Sequence, residues 1–380
     1  MKAKKELRVL QVLPALEMGG VERGTIDVAI FLKQKGHFPV IASYGGRLVS
    51  HLRKNGIIHE YLPLHSKNPF TMWMNIVRLE RIIRNHQIQV VHARSRAPAW
   101  SAYFAAKKAK VPFITTFHAA YPFQSTLKKV YNSVMTKGNN IIAVSKFISN
   151  FIQQKYQVTP KKIVSIHRGI DLEVFDPEKV TQSRIEAVIS QMQLPDDKFI
   201  VLLPGRLTRL KGHVVLLDAL SRLKRDDVVC IFVGLAKNSE YIKELEEQAL
   251  NYQLRDRLYI FPECKDMPAL YKLSTVTVCP SICPESFGRT AAEAGALGCP
   301  VIASNHGGLP EIILDGETGF LFPPEDSRSL AYIIEKVLDM PLEERQKMQQ
   351  KAIAHIRKHF DNTIMLTKTL KVYQDVLSHV

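Results

Sequence analysis

The chain has 380 residues, 46% of them hydrophobic and 23% charged, a globular composition too long for a single core, so two domains are expected; its apolar runs are strand-length, which excludes a membrane-spanning helix. Net charge is +16 and lopsided: residues 1–190 hold 29 Lys+Arg against 11 Asp+Glu, residues 191–380 hold 23 against 25. The five cysteines are sparse and odd in number, which excludes a disulfide framework and suits a reducing compartment.

The opening run to Leu16 imitates a signal peptide, but Arg8, Gln11 and Pro14 interrupt it and no small-residue cleavage site follows, so residues 7–13 read as a first strand. Further strands are expected at 38–44, 57–62, 88–93, 111–117 and 140–145, separated by segments whose apolar residues recur at three and four. The second half repeats this grammar with strands at 199–205, 228–234, 258–263, 276–281 and 300–304. Strand and helix in alternation imply parallel sheets covered on both faces, that is, two doubly wound α/β domains facing a cleft, because ligands gather at the carboxyl ends of such strands. The turn signal around Pro195 puts the domains at 1–194 and 195–362.

The loops at those strand ends carry the chemistry. After the first strand, Gly19-Gly20 lets backbone approach a ligand at a helix start, but the spacing to Gly24 fails the dinucleotide fingerprint and no acid closes the second strand. After the strand at 199–205, Arg206 and Lys211 lie five apart across a turn. A planar fork and a compact ammonium there suit a diphosphate, without the spacing of a Walker loop. The stretch "CPESFGRTAAEAGALGCPVIAS" sets Glu285 and Glu293 eight apart around the start of a helix whose amides, at Phe287, Gly288, Arg289 and Thr290, favour an anion. Carboxylates beside an anion site make sense if the ligand also carries vicinal diols, as a nucleotide sugar does at its ribose and its hexose. His118 ends the strand at 111–117, and His92, Arg94 and Arg96 end its neighbour, where they could meet an anionic acceptor. Cys279 and Cys283 have no nearby His or second pair, so no metal site is expected.

In order, "MGGVERG", "HARSRAPAW", "TTFHAAY", "HRGIDLEVFDP", "PGRLTRLKG", "PESFGRTAAEAGALGCPVIAS" and "GGLPEIILDGETGFLF" resemble the retaining glycosyltransferases of family 4, with the GT-B fold of two Rossmann-like domains. The resemblance implies that Glu293 holds the nucleotide ribose and Glu285 the transferred sugar. It implies that Arg206, Lys211 and the 287–290 amides, with Gly19 and Gly20 opposite, hold the diphosphate, that His118 lies beside the sugar ring, and that the segment around Cys264 cradles the base. It also implies a last helix, 363–380, that returns to the first domain. Many members read Asn-Gly-Ile/Val-Asp where this chain has Arg168-Gly169-Ile170-Asp171, so no role is carried to Arg168. The phrasing further resembles members associated with lipopolysaccharide and related envelope glycans.

No Asp-x-Asp motif occurs, so protein cations are expected to stabilise the departing diphosphate without metal or cofactor. The basic half is expected to face a glycan or lipid-linked acceptor at the inner leaflet of the cytoplasmic membrane, with 123–139 as a docking helix. That places the protein in the cytoplasm, peripheral to the membrane. Two rivals share these features: a sugar-nucleotide epimerase or hydrolase of the same architecture, and a basic nucleic-acid-binding protein. The second lacks an interleaved aromatic platform, so no nucleic-acid partner is expected.

Overall fold

The structure, a computed structural model, describes residues 6–17, 19–195, 197–236 and 239–378. The chain divides into two compact units, residues 1–168 with 363–380 (unit 1) and residues 169–362 (unit 2).

Unit 1 is built on β1 (Arg8–Val12), β2 (Phe38–Ser43), β3 (Ile58–Tyr61), β4 (Val90–Ala93), β5 (Phe113–Phe117), β6 (Asn140–Ala143) and β7 (Ile163–Ser165). All pair in parallel, in the order β3-β2-β1-β4-β5-β6-β7. Successive residues of β1 point to opposite faces: Leu10 and Val12 join one apolar cluster, Val9 another, together with Leu7 just before the strand. A sheet covered on both faces buries both sides of its strands, which is why they read as largely apolar runs.

Unit 2 contains β8 (Phe199–Pro204), β9 (Val228–Val233), β10 (Leu258–Phe261), β11 (Val276–Cys279), β12 (Val301–Ser304) and β13 (Phe320–Phe322), in the order β10-β9-β8-β11-β12-β13. Again Val201 and Leu203 face one core, Ile200 and Leu202 the other. In each sheet the strand order reverses beside one strand: β1 lies between β2 and β4, and β8 between β9 and β11. The crevices at their carboxyl ends are where ligands enter such sheets.

The boundary differs from the expected 194/195. Pro195 is internal to unit 2, because the helix Gln182–Met192 buries Val188 and Met192, and Leu194 just after it, in the cluster that holds Ile200 and Leu202. Arg184 fixes that helix further by a two-pronged ion pair to Asp266, both contacts 2.7 Å. The helix Asn362–Ser378 packs Leu366, Leu370, Tyr373 and Val376 against Leu7, Val9 and Ile114 of unit 1. The charge asymmetry sharpens along this division: unit 1 carries 29 Lys+Arg against 7 Asp+Glu, unit 2 carries 23 against 29. Among the described residues no helix is long and apolar enough to cross a membrane.

Candidate functional site

In unit 2 the loops after β8 and β11 are locked together by backbone. The Ile282 N–H donates to the Leu210 carbonyl at 3.0 Å. Gly212 has φ +73°, and a Cβ there would fall 1.9 Å from the Pro280 carbonyl oxygen, so glycine is required on both grounds. This lock brings together two residues that the sequence placed far apart: Lys211 Nζ stands 2.6 Å from Glu285 Oε1, with the two side chains 23% and 17% exposed. The Ser281 hydroxyl donates to the same oxygen at 2.5 Å, while Oε2 accepts nothing from the described residues. Burial favours the neutral form of Glu285, yet Lys211, the Ser281 hydroxyl and His306 outweigh it and hold the carboxyl below its ordinary range. Arg206, also beyond β8, is exposed and has no hydrogen-bond partner among the described residues. Arg209 by contrast pairs with Glu244 and lies over the Tyr241 ring.

Beyond Glu285 the helix Arg289–Ala296 begins at Gly288, whose φ is +104° and whose pro-Cβ direction points at Leu309 Cδ2, 2.6 Å away. The first-turn amides of a helix have no internal acceptors, so Arg289 and Thr290, after the Gly288 cap, present N–H groups at the positive end of its dipole. Phe287 itself is buried, its ring packed on Phe360, and Thr290 Oγ1 meets the buried Cys279 sulfur at 3.5 Å. Glu293 is 9% exposed. Arg289 Nε donates to its Oε1 at 2.7 Å and the Tyr271 hydroxyl to Oε2 at 3.1 Å, leaving each oxygen a further lone pair for a diol. Cys264 follows β10, half-buried, its thiol pushed up by burial. All five cysteines are free.

The sequence reading missed the scaffold behind this cluster. His306 Nε2–H donates to the Ser281 carbonyl at 2.7 Å and the Gly308 N–H to the Glu285 carbonyl at 2.7 Å. The signal was present in "NHGGLPE", since paired glycines next to a loop permit close backbone approach. Tyr271, fully buried, carried no signal beyond an apolar pattern.

In unit 1, Gly19 caps the helix Gly20–Gln34 with extended backbone, φ −163°, and its open face admits only the flexible end of Glu22. His92 does not face a ligand: it is fully buried, one ring nitrogen 2.7 Å from the Tyr373 hydroxyl and the other 2.7 Å from Thr116 Oγ1. That corrects the expectation that it meets an acceptor. Arg94 is 5% exposed, and Arg96 lies over the Tyr121 ring while donating to Asn132. His118 follows β5; Arg168 Nη2 lies 3.0 Å from its Nδ1, and its Nε2 is buried without a partner among the described residues.

Comparison with known proteins agrees with this layout. The profile of the family described as Glycosyltransferase Family 4 matches residues 18–174, and that of Glycosyl transferases group 1 matches residues 185–355. A crystal structure of a glycosyltransferase from Rickettsia africae ESF-5 is 38% identical, with a TM-score of 0.93 over 99% of this chain and 100% of that one. Alr3699/HepE from Anabaena, solved in complex with UDP and glucose, is 23% identical with a TM-score of 0.84, covering 97% and 100% of the two chains, a likeness of fold. D-inositol 3-phosphate glycosyltransferase of Thermobifida fusca (strain YX) is 33% identical over 210 residues, 53% of this chain and 47% of that protein, so the match spans about half the length of that relative. On fold, profiles and full-length similarity together, the chain belongs to the group 1/family 4 glycosyltransferases with the GT-B fold.

Proposed function

We propose that this enzyme moves a hexose, with retention of configuration and without a metal ion, from a nucleotide-diphosphate sugar to a glycan or lipid-linked acceptor in lipopolysaccharide or related envelope-glycan assembly. The observation that carries the reading is the Lys211–Glu285 contact at 2.6 Å, in the loops that precede the Gly288-capped helix and follow β8. In this reading Arg206, Lys211 and the amides of Phe287 to Thr290 grip the diphosphate. Glu285 Oε2 accepts from the sugar hydroxyls, Glu293 from the ribose, the segment around Cys264 meets the base, and Gly19, Gly20 and His118 serve from unit 1.

Cleaving the sugar–phosphate bond develops negative charge on the departing diphosphate and positive charge at the anomeric carbon. Cations and amides fixed before the reaction stabilise that anion without reorganising, a contribution of about 10²–10³ in rate per donor in comparable sites. Retention follows if the acceptor attacks from the face that the diphosphate leaves and passes its proton to the leaving oxygen. The Anabaena complex with UDP and glucose supports a nucleotide-sugar donor, and the inositol-phosphate relative supports an anionic acceptor for the basic unit 1.

Peripheral work at the inner leaflet is supported by the helix Thr126–Ser133, which turns Leu127 (84% exposed) and Val130 (55%) outward beside Lys128 and Lys129. Phe70 and Trp73, 71% and 57% exposed on the helix Pro69–Asn85, add apolar surface to the same unit.

A screen of UDP-, GDP- and ADP-sugars for thermal stabilisation tests the donor assignment, because a ligand that prefers the folded state raises the midpoint. One of them should shift the wild type and lose its effect in Lys211→Met; no shift from any would reject the donor reading. Full-rate turnover of donor with no acceptor present would favour an epimerase or hydrolase instead.

A further inference from the structure

His118 and Arg168 form a pair that neither the family pattern nor the donor site accounts for. Arg168 Nη2 lies 3.0 Å from His118 Nδ1. A guanidinium has only donors, so Nδ1 accepts and the ring proton sits on Nε2. That Nε2–H is shut away from solvent and has no acceptor among the described residues. An unmet buried donor is costly, a penalty that a ligand oxygen would relieve. The charged groups facing the ring are Arg168 after β7 and Arg94 after β4, with His92 of β4 behind them; Tyr121 neighbours it within its own loop. Burial first, then these cations, hold the imidazole well below its usual titration range.

Two alternatives are thereby closed off. The Nδ1–H tautomer would set two donors against each other at 3.0 Å, and an imidazolium would place a cation beside two guanidinium groups. We infer that Arg168 is a positioning residue that locks His118 as its neutral Nε2–H tautomer, so that the ring meets the transferred sugar as a hydrogen-bond donor to a hydroxyl oxygen and not as an acid or base. The sugar part of this inference rests on the proposed donor reading; the tautomer part does not.

The test is a long-range proton–nitrogen NMR spectrum of the full chain labelled at its 13 histidines, with the His118 signals identified by their loss in His118→Gln. The wild type should show Nε2 protonated, Nδ1 bare and no titration between roughly pH 5 and 8. Arg168→Leu should populate both tautomers and let the ring titrate nearer its ordinary value, and Arg168→Lys, which keeps a donor, should restore much of the wild-type signature. A wild-type ring protonated at Nδ1 overturns the inference even if the variants do not fold, as does an unchanged ring in a folded Arg168→Leu. Adding the nucleotide sugar that gives the largest thermal shift should move the wild-type Nε2–H signal, and an unmoved signal with that sugar bound overturns the ligand contact. Failure of every nucleotide sugar to bind, with the tautomer as stated, would overturn the donor reading separately.

Discussion

Lys211 and Glu285, 74 positions apart in the chain, meet at 2.6 Å in unit 2 because the loops after β8 and β11 are joined through Leu210, Gly212, Pro280 and Ile282. The cation assigned to the diphosphate is thus held by the carboxylate assigned to the sugar. Such a pair sets both groups before a ligand arrives, which is the preorganisation that electrostatic catalysis requires. Lys211→Met should lower the transfer rate about 10²-fold or more with the fold retained, and Glu285→Gln should do likewise. In denaturant titrations the double variant should be more stable than the sum of the single losses implies, with a coupling of roughly 0.5–3 kcal/mol. Additive losses would mean the contact is not made.

The ionisation of Glu285 gives a pH signature. Its carboxyl is held below the ordinary range, so the ionised form, and with it activity, persists above that range and is lost as pH falls through the folded value. Ser281→Ala removes a hydrogen bond to the charged form, so the acid limb of the rate profile should move to higher pH. An unmoved limb would assign it to another group.

Gly288 stands at φ +104° with Leu309 against it. Gly288→Ala should destabilise by about 1–2 kcal/mol from backbone conformation alone, and by displacing the helix start should weaken nucleotide-sugar stabilisation. A variant with wild-type midpoint and wild-type ligand shift would remove the 287–290 amides from the site.

The fold was legible wherever burial on both faces forced a long apolar run. The strands missed, β7 and β13, are three residues each at sheet edges, too short to carry a pattern. The site was half legible. Arg206, Lys211, Glu285 and Glu293 could be proposed from the sequence because charged residues at strand ends and helix starts have few structural reasons to be there. Ser281, His306 and Tyr271 could not, since each acts through a neighbour that only the fold supplies. The 194/195 boundary failed for a related reason: a turn is visible in sequence, whereas the cluster that claims Val188 and Met192 for unit 2 is not.

His213 is fully buried against Phe232 and Tyr241, and burial lowers its pKa from 6.5 to about 4. A depressed histidine binds its proton more readily when unfolded, so stability is full above the unfolded value and falls as pH drops from about 6.5 toward 4, by about 3 kcal/mol for this group. His213→Leu should flatten that part of the stability profile measured by urea unfolding. A profile parallel to wild type would mean the ring titrates normally.

For the membrane surface, Leu127→Glu with Lys128→Glu and Lys129→Glu should abolish co-sedimentation with vesicles rich in anionic lipid, each lysine being worth roughly 1 kcal/mol there. Donor-induced thermal stabilisation should be unchanged. Equal sedimentation of wild type and variant would place membrane contact elsewhere.

The most direct measurement is a crystal structure of the chain with the nucleotide sugar that stabilises it best. The account predicts its diphosphate within hydrogen-bond reach of Arg206, Lys211 and the amides of residues 287–290, its hexose hydroxyls on Glu285 and its ribose on Glu293. A diphosphate held anywhere else in a catalytically competent crystal would contradict it.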